Sequence, residues 1–284
     1  MQLAPHYGPD PIITFDGDPS AIAAPTIRQR RRLAAALATF DDEQWAHPSR
    51  CEGWSSRDVI VHLNSTNSFW TMSIAAGLRG EPTRFLSTFD PVASPAQMVA
   101  AAAPASNAEV LAQFLATSDA LTDLLGSLST DQWELLAEAP PGHITVSAVA
   151  HHALWDSWIH ERDILLPLGL PAEEEADEVA ACLRYVAGLG PCLAASRGRV
   201  GQALLVIDTS GPSDAKVSAT IDVTDRVIVR DGIETGVAGD LRLSGDAVQL
   251  VEALSVRAPL AQPIPADSAW LVSGLLETFD VLPG

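Results

Sequence analysis

The chain has 284 residues, of which 47% are hydrophobic and 19% charged, so it can bury a sizeable core and extensive disorder is not expected. Acidic residues outnumber basic ones by 36 to 17, a formal net charge of −19, and no basic cluster is interleaved with aromatic residues, so we expect no nucleic acid partner. The three cysteines are odd in number and form no C-x-x-C pair, which favours a reducing compartment over a disulfide framework.

Residues 1–25 are predicted to form an extended N-terminal arm, because they are rich in Pro, Gly and Asp. They contain neither the basic segment nor the continuous apolar segment of a signal peptide. Elsewhere the apolar stretches are interrupted well short of the ~20 residues that a membrane-spanning helix needs. We therefore expect a soluble, cytoplasmic protein without a membrane partner.

Residues 26–169 are predicted to form an up-and-down four-helix bundle, since they contain four long amphipathic segments. The second helix has a hydroxyl cap at Ser55 or Ser56 and an acidic residue, Asp58, in its first turn. A loop is expected between the second and third helices. The predicted helices are Thr26–Thr39, 55–77, Asn107–Leu128 and Thr145–Leu166.

Residues 170–284 are predicted to form a smaller α+β domain. Short apolar runs separated by Gly and Asp are typical of strands and hairpins, and helical segments flank them. The fold class is therefore α+β, a four-helix bundle followed by an α+β domain. The predicted helices are 173–196, 246–256 and 267–279, and the predicted strands are 203–208, 216–223, 227–230 and 241–244.

The predicted fourth helix carries four polar residues in a mostly apolar sequence. His152, Asp156, His160 and Asp163 recur at spacings of four, four and three, which places them along one stripe of a helix. A carboxylate and an imidazole one turn apart have Cβ atoms about 5–6 Å apart and can converge on one ion. Catalytic zinc sites typically have three nitrogen or oxygen ligands from the protein and an open position. Asp156 and His160 are therefore candidate ligands of a divalent metal, with zinc the first choice.

A third ligand has to come from another helix, and His62 is the best candidate. It shares a helical face with apolar residues, so its side chain is expected to point into the bundle. The residues alone also allow a plainer interpretation, in which His62 is a hydrogen-bonded core histidine and Asp156 and His160 are an ordinary pair one turn apart. Two buried polar features in one bundle each need a partner, which favours the metal. His152 is left open as a fourth ligand, a group behind the ligands or a residue bonded to the neighbouring turn.

The same segments resemble a known family. Residues 33–63 read LAAALATFDDEQWAHPSRCEGWSSRDVIVHL and are similar to the opening of the mycothiol-dependent maleylpyruvate isomerase family, one of the DinB-like metal-binding four-helix bundles. The shared pattern consists of Trp45, the C-x-G-W turn at 51–54 and the D-V-x-x-H-L stretch at 58–63.

Two later segments extend the resemblance. Residues 156–163 are similar to the family's second metal motif, usually E-x-x-x-H-x-x-D, with Asp156 in the place of the glutamate. Residues 241–260 resemble the family's second domain, which is α+β and similar to sterol carrier proteins. The resemblance implies that His62, Asp156 and His160 hold the metal. The shorter Asp156 side chain puts an activity identical to that of the namesake in question.

The resemblance also implies a reaction. In the family the metal is thought to bind the thiol of mycothiol, and the thiolate attacks a small electrophile, so an isomerase or transferase dependent on mycothiol or a similar thiol is expected. Asp163 is expected either to orient a metal ligand or to pack between helices and pair with a nearby cation. Arg257 is expected to contact an acid group of the substrate or thiol, although a solvated helix-end cation is the simpler role for Arg257. Cys51 is expected to be a packed turn residue. A hydrolase using metal-bound water and a non-catalytic metal-binding regulator remain the alternatives.

Overall fold

The structure is a computed structural model that describes residues 3–199, 201–209, 218–233 and 238–279. Its first part is helical, as predicted, and the bounds of the four long helices lie within three residues of those expected. The elements up to residue 165 are β1 (Ile13–Phe15), α1 (Ala23–Leu37), α2 (Asp42–Ala46), α3 (Ser56–Leu78), α4 (Ala93–Ala101), α5 (Asn107–Ser127), β2 (Leu136–Ala139), β3 (Gly142–Thr145) and α6 (Val146–Leu165).

Helices α1, α3, α5 and α6 form the bundle, and α6 lies at its centre. Every residue of α6 is buried, including the histidines and carboxylates that the sequence singled out. The helix begins at the cap residue Thr145, whose Oγ1 accepts the backbone N–H of Ala148 at 3.1 Å. Because water does not reach most of these polar side chains, each of them needs a partner inside the protein.

Two elements were not predicted from the sequence. The stretch expected to be a loop between α3 and α5 contains α4, a short helix with little amphipathic pattern. The antiparallel hairpin β2–β3 precedes α6 directly and pairs Leu136 with Thr145. Its four-residue strands are too short to produce a clear alternation of apolar and polar residues.

The N-terminal arm is not a free extension. Strand β1 pairs in parallel with a strand of the C-terminal sheet, and the Tyr7 hydroxyl donates to Oε1 of Glu138 at 2.6 Å. Gly142 has φ +126°, and a Cβ there would lie 1.9 Å from the carbonyl oxygen of His6, so only glycine allows the arm to pass this close. Helix α1 begins at Ala23, so the last three residues of the predicted arm are helical.

The second part is α+β, which confirms the predicted fold class. The five strands of its sheet lie in the order β1-β6-β5-β4-β7. The predicted strand start at residues 216–217 lies outside the described residues. The elements are α7 (Ala176–Ser196), β4 (Ala203–Thr209), β5 (Ser218–Val223), β6 (Val227–Asp231), β7 (Leu241–Gly245), α8 (Ala247–Leu254) and α9 (Trp270–Phe279).

Helix α7 connects the two parts. Its 21 residues have a mean hydropathy of 1.4 in their most apolar window, enough by length and composition to cross a membrane, but 72% of that window is buried inside the protein. Side chains of α6, α7 and the sheet share one apolar cluster that includes Leu154, Tyr185 and Ile207. The division of the chain at residues 169–170 stays a prediction, and the apolar core is continuous across it.

Candidate metal centre

The C-x-G-W turn brings the loop before α3 against α6. Gly53 has φ +75°, a conformation that glycine adopts without steric cost, and the backbone N–H of Trp54 donates to the carbonyl of Cys51 at 3.0 Å. The backbone N–H of Arg50 donates to the carbonyl of Asp163 at 3.0 Å, which ties the loop to the end of α6.

Helix α3 starts directly after this turn. Ser55 and Asp58 form a capping box, in which the Ser55 side chain accepts the backbone N–H of Asp58 and the Asp58 carboxylate accepts the backbone N–H of Ser55 at 3.0 Å. The predicted cap is therefore present at Ser55. The fixed start sets the rotation of α3 and directs the imidazole of His62 toward α6.

Three of the predicted ligands converge. Nε2 of His62 lies 3.7 Å and Nε2 of His160 lies 3.6 Å from Oδ1 of Asp156, and one ligand atom from each of the three residues lies within 4.8 Å of the others. Ligands of a tetrahedral zinc ion at about 2.0–2.2 Å are roughly 3.3–3.6 Å apart, so the two distances to Asp156 are close to those that one zinc ion requires. We call His62, Asp156 and His160 the His62 group.

The Asp156 carboxylate has the environment of a cation ligand. Its Oδ2 atom is buried and has no hydrogen-bond partner, and within the described part of the chain no arginine or lysine forms an ion pair with it. Burial raises the pKa of Asp156, but the nearby imidazoles of His62 and His160 outweigh burial and hold it well below its usual value. A buried anion with one orphaned oxygen fits a divalent metal.

A second set of donors lies on the other side of the His160 ring. Sγ of Cys51 is 3.6 Å from Nδ1 of His160 and 3.3 Å from Oδ2 of Asp163, and Nδ1 of His160 is 3.0 Å from the same carboxylate oxygen. We call Cys51, His160 and Asp163 the Cys51 group. The three offer sulfur, nitrogen and oxygen within 4.8 Å of one another, so distance alone also qualifies them as metal ligands.

The charge of the Cys51 group is already balanced by two arginines. Nε and Nη2 of Arg257 contact the Asp163 carboxylate at 2.8–3.1 Å, and Nε of Arg50 contacts it at 3.0 Å. Burial raises the pKa of Asp163, but its bonds to His160 and Arg257 lower it far more. A guanidinium thus stands where a second cation would have to lie, which leaves the His62 group as the better metal site.

His160 belongs to both groups and carries a proton in the metal-free protein. Burial lowers its pKa, but Cys51, Asp163 and Asp156 together raise it to about 10. The imidazolium lies between two carboxylates: Nδ1–H donates to Asp163 at 3.0 Å, and Nε2 forms an ion pair with Asp156 at 3.6 Å. A metal on Nε2 replaces one of its two protons, and Nδ1–H continues to donate to Asp163.

His152 lies apart from these ligands. Its Nδ1 bonds to the hydroxyl of Tyr185, and its ring packs against Trp70, Trp155 and Tyr185 with centroids 4.6–5.3 Å apart. Burial lowers the pKa of His152 to about 4, so it is a neutral residue of the aromatic core. Among the described residues it is not part of either donor group.

Further side chains surround the His62 group. The rings of Trp54 and His62 are 5.6 Å apart, so the tryptophan of the C-x-G-W pattern forms a wall beside the candidate ligands. Glu252 of α8 binds both Arg50, at 2.7 Å, and Arg162, at 2.6 Å. These contacts attach α8 to the loop before α3 and to α6. The partners are 202 and 90 residues apart, so no local pattern indicates them.

Comparisons with known proteins point in one direction. Residues 27–165 match a family model described as the mycothiol maleylpyruvate isomerase N-terminal domain. A solved structure of a mycothiol-dependent maleylpyruvate isomerase shares 16% identity with this chain at a TM-score of 0.56, covering 84% of this chain and 88% of that one. A histidine-to-alanine mutant of a mycothiol-dependent maleylpyruvate isomerase has the same identity and coverage at a TM-score of 0.55. No curated protein sequence matches. At this identity the structures establish the fold alone.

Proposed function

The chain belongs to the mycothiol-dependent maleylpyruvate isomerase family through residues 27–165, and from this premise we propose that it is a metal-dependent enzyme that uses a low-molecular-weight thiol. The thiol is mycothiol or a close analogue, and the substrate is a small electrophile that is isomerised or conjugated. The proposed ligands of the metal, zinc in the first place, are His62, Asp156 and His160.

The observation that supports this proposal best is the orphaned oxygen of Asp156 in the centre of the His62 group. The Asp156 carboxylate faces two imidazole nitrogens, and no arginine of the described residues forms an ion pair with it, so a cation that replaces the His160 proton would also satisfy the unpartnered oxygen. The neighbouring carboxylate of Asp163, only seven residues further along α6, has its guanidinium partners in place. The contrast favours a metal at one position and an ion-pair network at the other.

The proposed mechanism assigns each side chain a task. His62, Asp156 and His160 would hold a divalent metal, which would lower the pKa of a bound thiol and so supply a nucleophile at neutral pH. Asp163 accepts Nδ1–H of His160 and fixes the tautomer whose Nε2 lone pair faces the site. Trp54 covers one side of His62 and limits access of water. The predicted contact of Arg257 with an acid group of the substrate would add charge recognition next to the same site.

Purified protein without a polyhistidine tag tests the proposal. We expect about one equivalent of zinc or a similar divalent ion by elemental analysis, and turnover of maleylpyruvate or a related electrophile only when mycothiol is added. The control is His62→Ala, which should lose both metal and thiol-dependent turnover. Metal content with thiol-independent hydrolysis would favour a hydrolase, and metal content without any turnover would favour the regulatory alternative. Metal-free active protein would contradict the proposal.

A further inference from the structure

We propose that Arg257 is a positioning residue of the metal centre, acting through Asp163 on His160. The inference rests on the proposed function, because it concerns the ligand set of the His62 group. Unlike a substrate contact, this role of Arg257 does not require a bound substrate.

The turn that carries Arg257 is defined by its backbone. Helix α8 ends at Leu254, and the N–H groups of Val256 and Arg257 donate back to the carbonyls of Ala253 and Glu252 at 3.1 and 2.8 Å. This is the Schellman pattern, whose left-handed residue is usually glycine. Here that residue is Val256, with φ +61°, which is unusual for a β-branched side chain. The surrounding contacts, rather than local preference, therefore hold the turn in place.

Those contacts attach the turn to the bundle. Nε1 of Trp155 on α6 donates to Oγ of Ser255 at 2.8 Å, and Glu252 accepts from Arg162 at 2.6 Å and Arg50 at 2.7 Å. The turn is thus bonded to α6 and to the C-x-G-W loop. As a result, Arg257, which follows Val256, faces the C-terminal end of α6.

The guanidinium of Arg257 is bound to the bundle before any ligand arrives. It makes three contacts of 2.8–3.1 Å with the two oxygens of Asp163, a residue whose side chain is 0% exposed, and Nη2 lies 3.6 Å from Sγ of Cys51. A bidentate arginine holds a carboxylate in one orientation. Arg50 also reaches Asp163, but its guanidinium is shared with Glu252.

The orientation of Asp163 is what His160 responds to. Oδ2 of Asp163 lies 3.0 Å from Nδ1 of His160, and the same oxygen accepts Nη2 of Arg257 at 2.8 Å. A carboxylate on one ring nitrogen fixes the tautomer and the ring plane, so that the other nitrogen can ligate a metal. The path runs from the C-terminal half through Arg257 and Asp163 to the Nε2 atom in the His62 group.

Arg257→Gln tests the inference, with Arg230→Gln as the matched control. Arg230 lies in the same half and pairs with Asp222 on the surface at 3.1 Å. We expect Arg257→Gln to bind zinc about tenfold to a hundredfold more weakly in competition with a chromophoric chelator, and to shift the NMR resonance of the His160 Nδ1–H proton in the metal-free protein, because its hydrogen bond to Asp163 is altered. Arg257→Lys keeps the positive charge but cannot make the bidentate contact, so its zinc affinity should lie between those of Arg257→Gln and the wild type. Arg230→Gln should match the wild type.

Asp163→Asn provides a second test through a double-mutant cycle. If Arg257 acts through Asp163, the double variant should bind zinc no more weakly than Asp163→Asn alone, because the path is already broken. Unchanged zinc affinity and an unchanged His160 Nδ1–H resonance in Arg257→Gln, with a raised KM for substrate, would overturn the inference in favour of a substrate contact. Fully additive losses in the cycle would also overturn it. Failure of the proposed function would show itself separately, as wild-type protein that binds no metal, and the NMR measurement would still report on Arg257.

Discussion

The His62 group and the Cys51 group share His160 and contain similar donors at similar distances, but their surroundings differ. In the Cys51 group, Arg50 and Arg257 contact the Asp163 carboxylate. In the His62 group, the Asp156 carboxylate faces only imidazoles, and its Oδ2 atom has no partner. Donor geometry therefore selects two candidate sites, and the balance of charge around each carboxylate distinguishes them.

The difference shows how one helix can serve both a reactive site and a structural clamp. Asp156 and Asp163 are two turns apart on α6, and both are buried. The carboxylate with arginine partners attaches the C-terminal half to the bundle, whereas the carboxylate without them is free for a cation. A buried polar atom without a partner is costly, so the unpartnered Oδ2 atom of Asp156, beside two imidazoles that can also bind a metal, favours a cation at this position.

The largest effect is expected from Asp156→Asn, which keeps the shape of the side chain and removes its negative charge. Changes behind a metal ligand typically cost about tenfold to a hundredfold in affinity, so loss of the only anionic ligand should weaken zinc binding by more than about a hundredfold. Titration against a chelator of known affinity measures this. Asp156→Glu is the control, because it restores the residue usual in the family and should retain zinc.

If Asp156 only accepts hydrogen bonds, the Asn variant would lose stability and keep its zinc affinity. Full zinc occupancy with unchanged zinc affinity in Asp156→Asn would therefore show that Asp156 is not a ligand. Asp156→Ala is less informative, because it also leaves a small cavity.

A second large effect is expected from His62→Ala, since the two remaining ligands come from one helix and form an open, weak site. The variant should lose most of its metal by elemental analysis. His152→Phe is the matched comparison. His152 lies on the same helix as Asp156 and His160, but it packs among aromatic rings. Retention of metal by His62→Ala together with loss in His152→Phe would reverse the assignment of the third ligand.

Much of this site could be predicted from the sequence, because α6 and α3 carry strong local patterns. The i, i+4 spacing of Asp156 and His160 fixes their common face, and the Ser55–Asp58 cap fixes where α3 begins. The start of α3 decides which way His62 points. The α+β class followed from the change from helical to alternating apolar patterns near residue 170.

The surroundings of the site could not be predicted, because they depend on contacts between distant segments. Nothing near Arg257 in the sequence indicates that its guanidinium reaches Asp163. The proximity of Cys51 to His160 likewise arises only when the loop folds onto α6. Charge compensation, which separates the two donor groups, is a property of the packed molecule.

A smaller effect is expected from pH. In the metal-free protein the pKa of His160 is raised from 6.5 to about 10, so zinc has to displace a proton from it at neutral pH. Apparent zinc affinity should rise about tenfold per pH unit between pH 6 and 8. By the same shift, His160 stabilises the metal-free protein fully below pH 6.5, and this contribution is lost as pH rises through 10.

Calorimetry in buffers with different ionisation enthalpies counts the released protons directly. A value near one or above is expected at pH 7. Zinc binding without proton release would show that His160 is neutral in the metal-free protein. In that case Asp156 and Asp163 would not stabilise a protonated His160, contrary to what their contacts suggest.

The smallest effect is expected from Cys51→Ser, which changes the Cys51 group alone. If zinc binds in the His62 group, the serine hydroxyl replaces a thiol that contacts His160, Asp163 and Arg257 without binding the metal, and zinc affinity should change by no more than about threefold. Were the metal in the Cys51 group, loss of a thiolate ligand would weaken binding greatly, since zinc prefers sulfur to a neutral hydroxyl. Cobalt substitution gives an independent view, because a thiolate ligand produces an intense charge-transfer band and nitrogen and oxygen ligands do not. Wild-type protein purified without added thiol should lack this band. A strong band that disappears in Cys51→Ser would assign the metal to the Cys51 group instead.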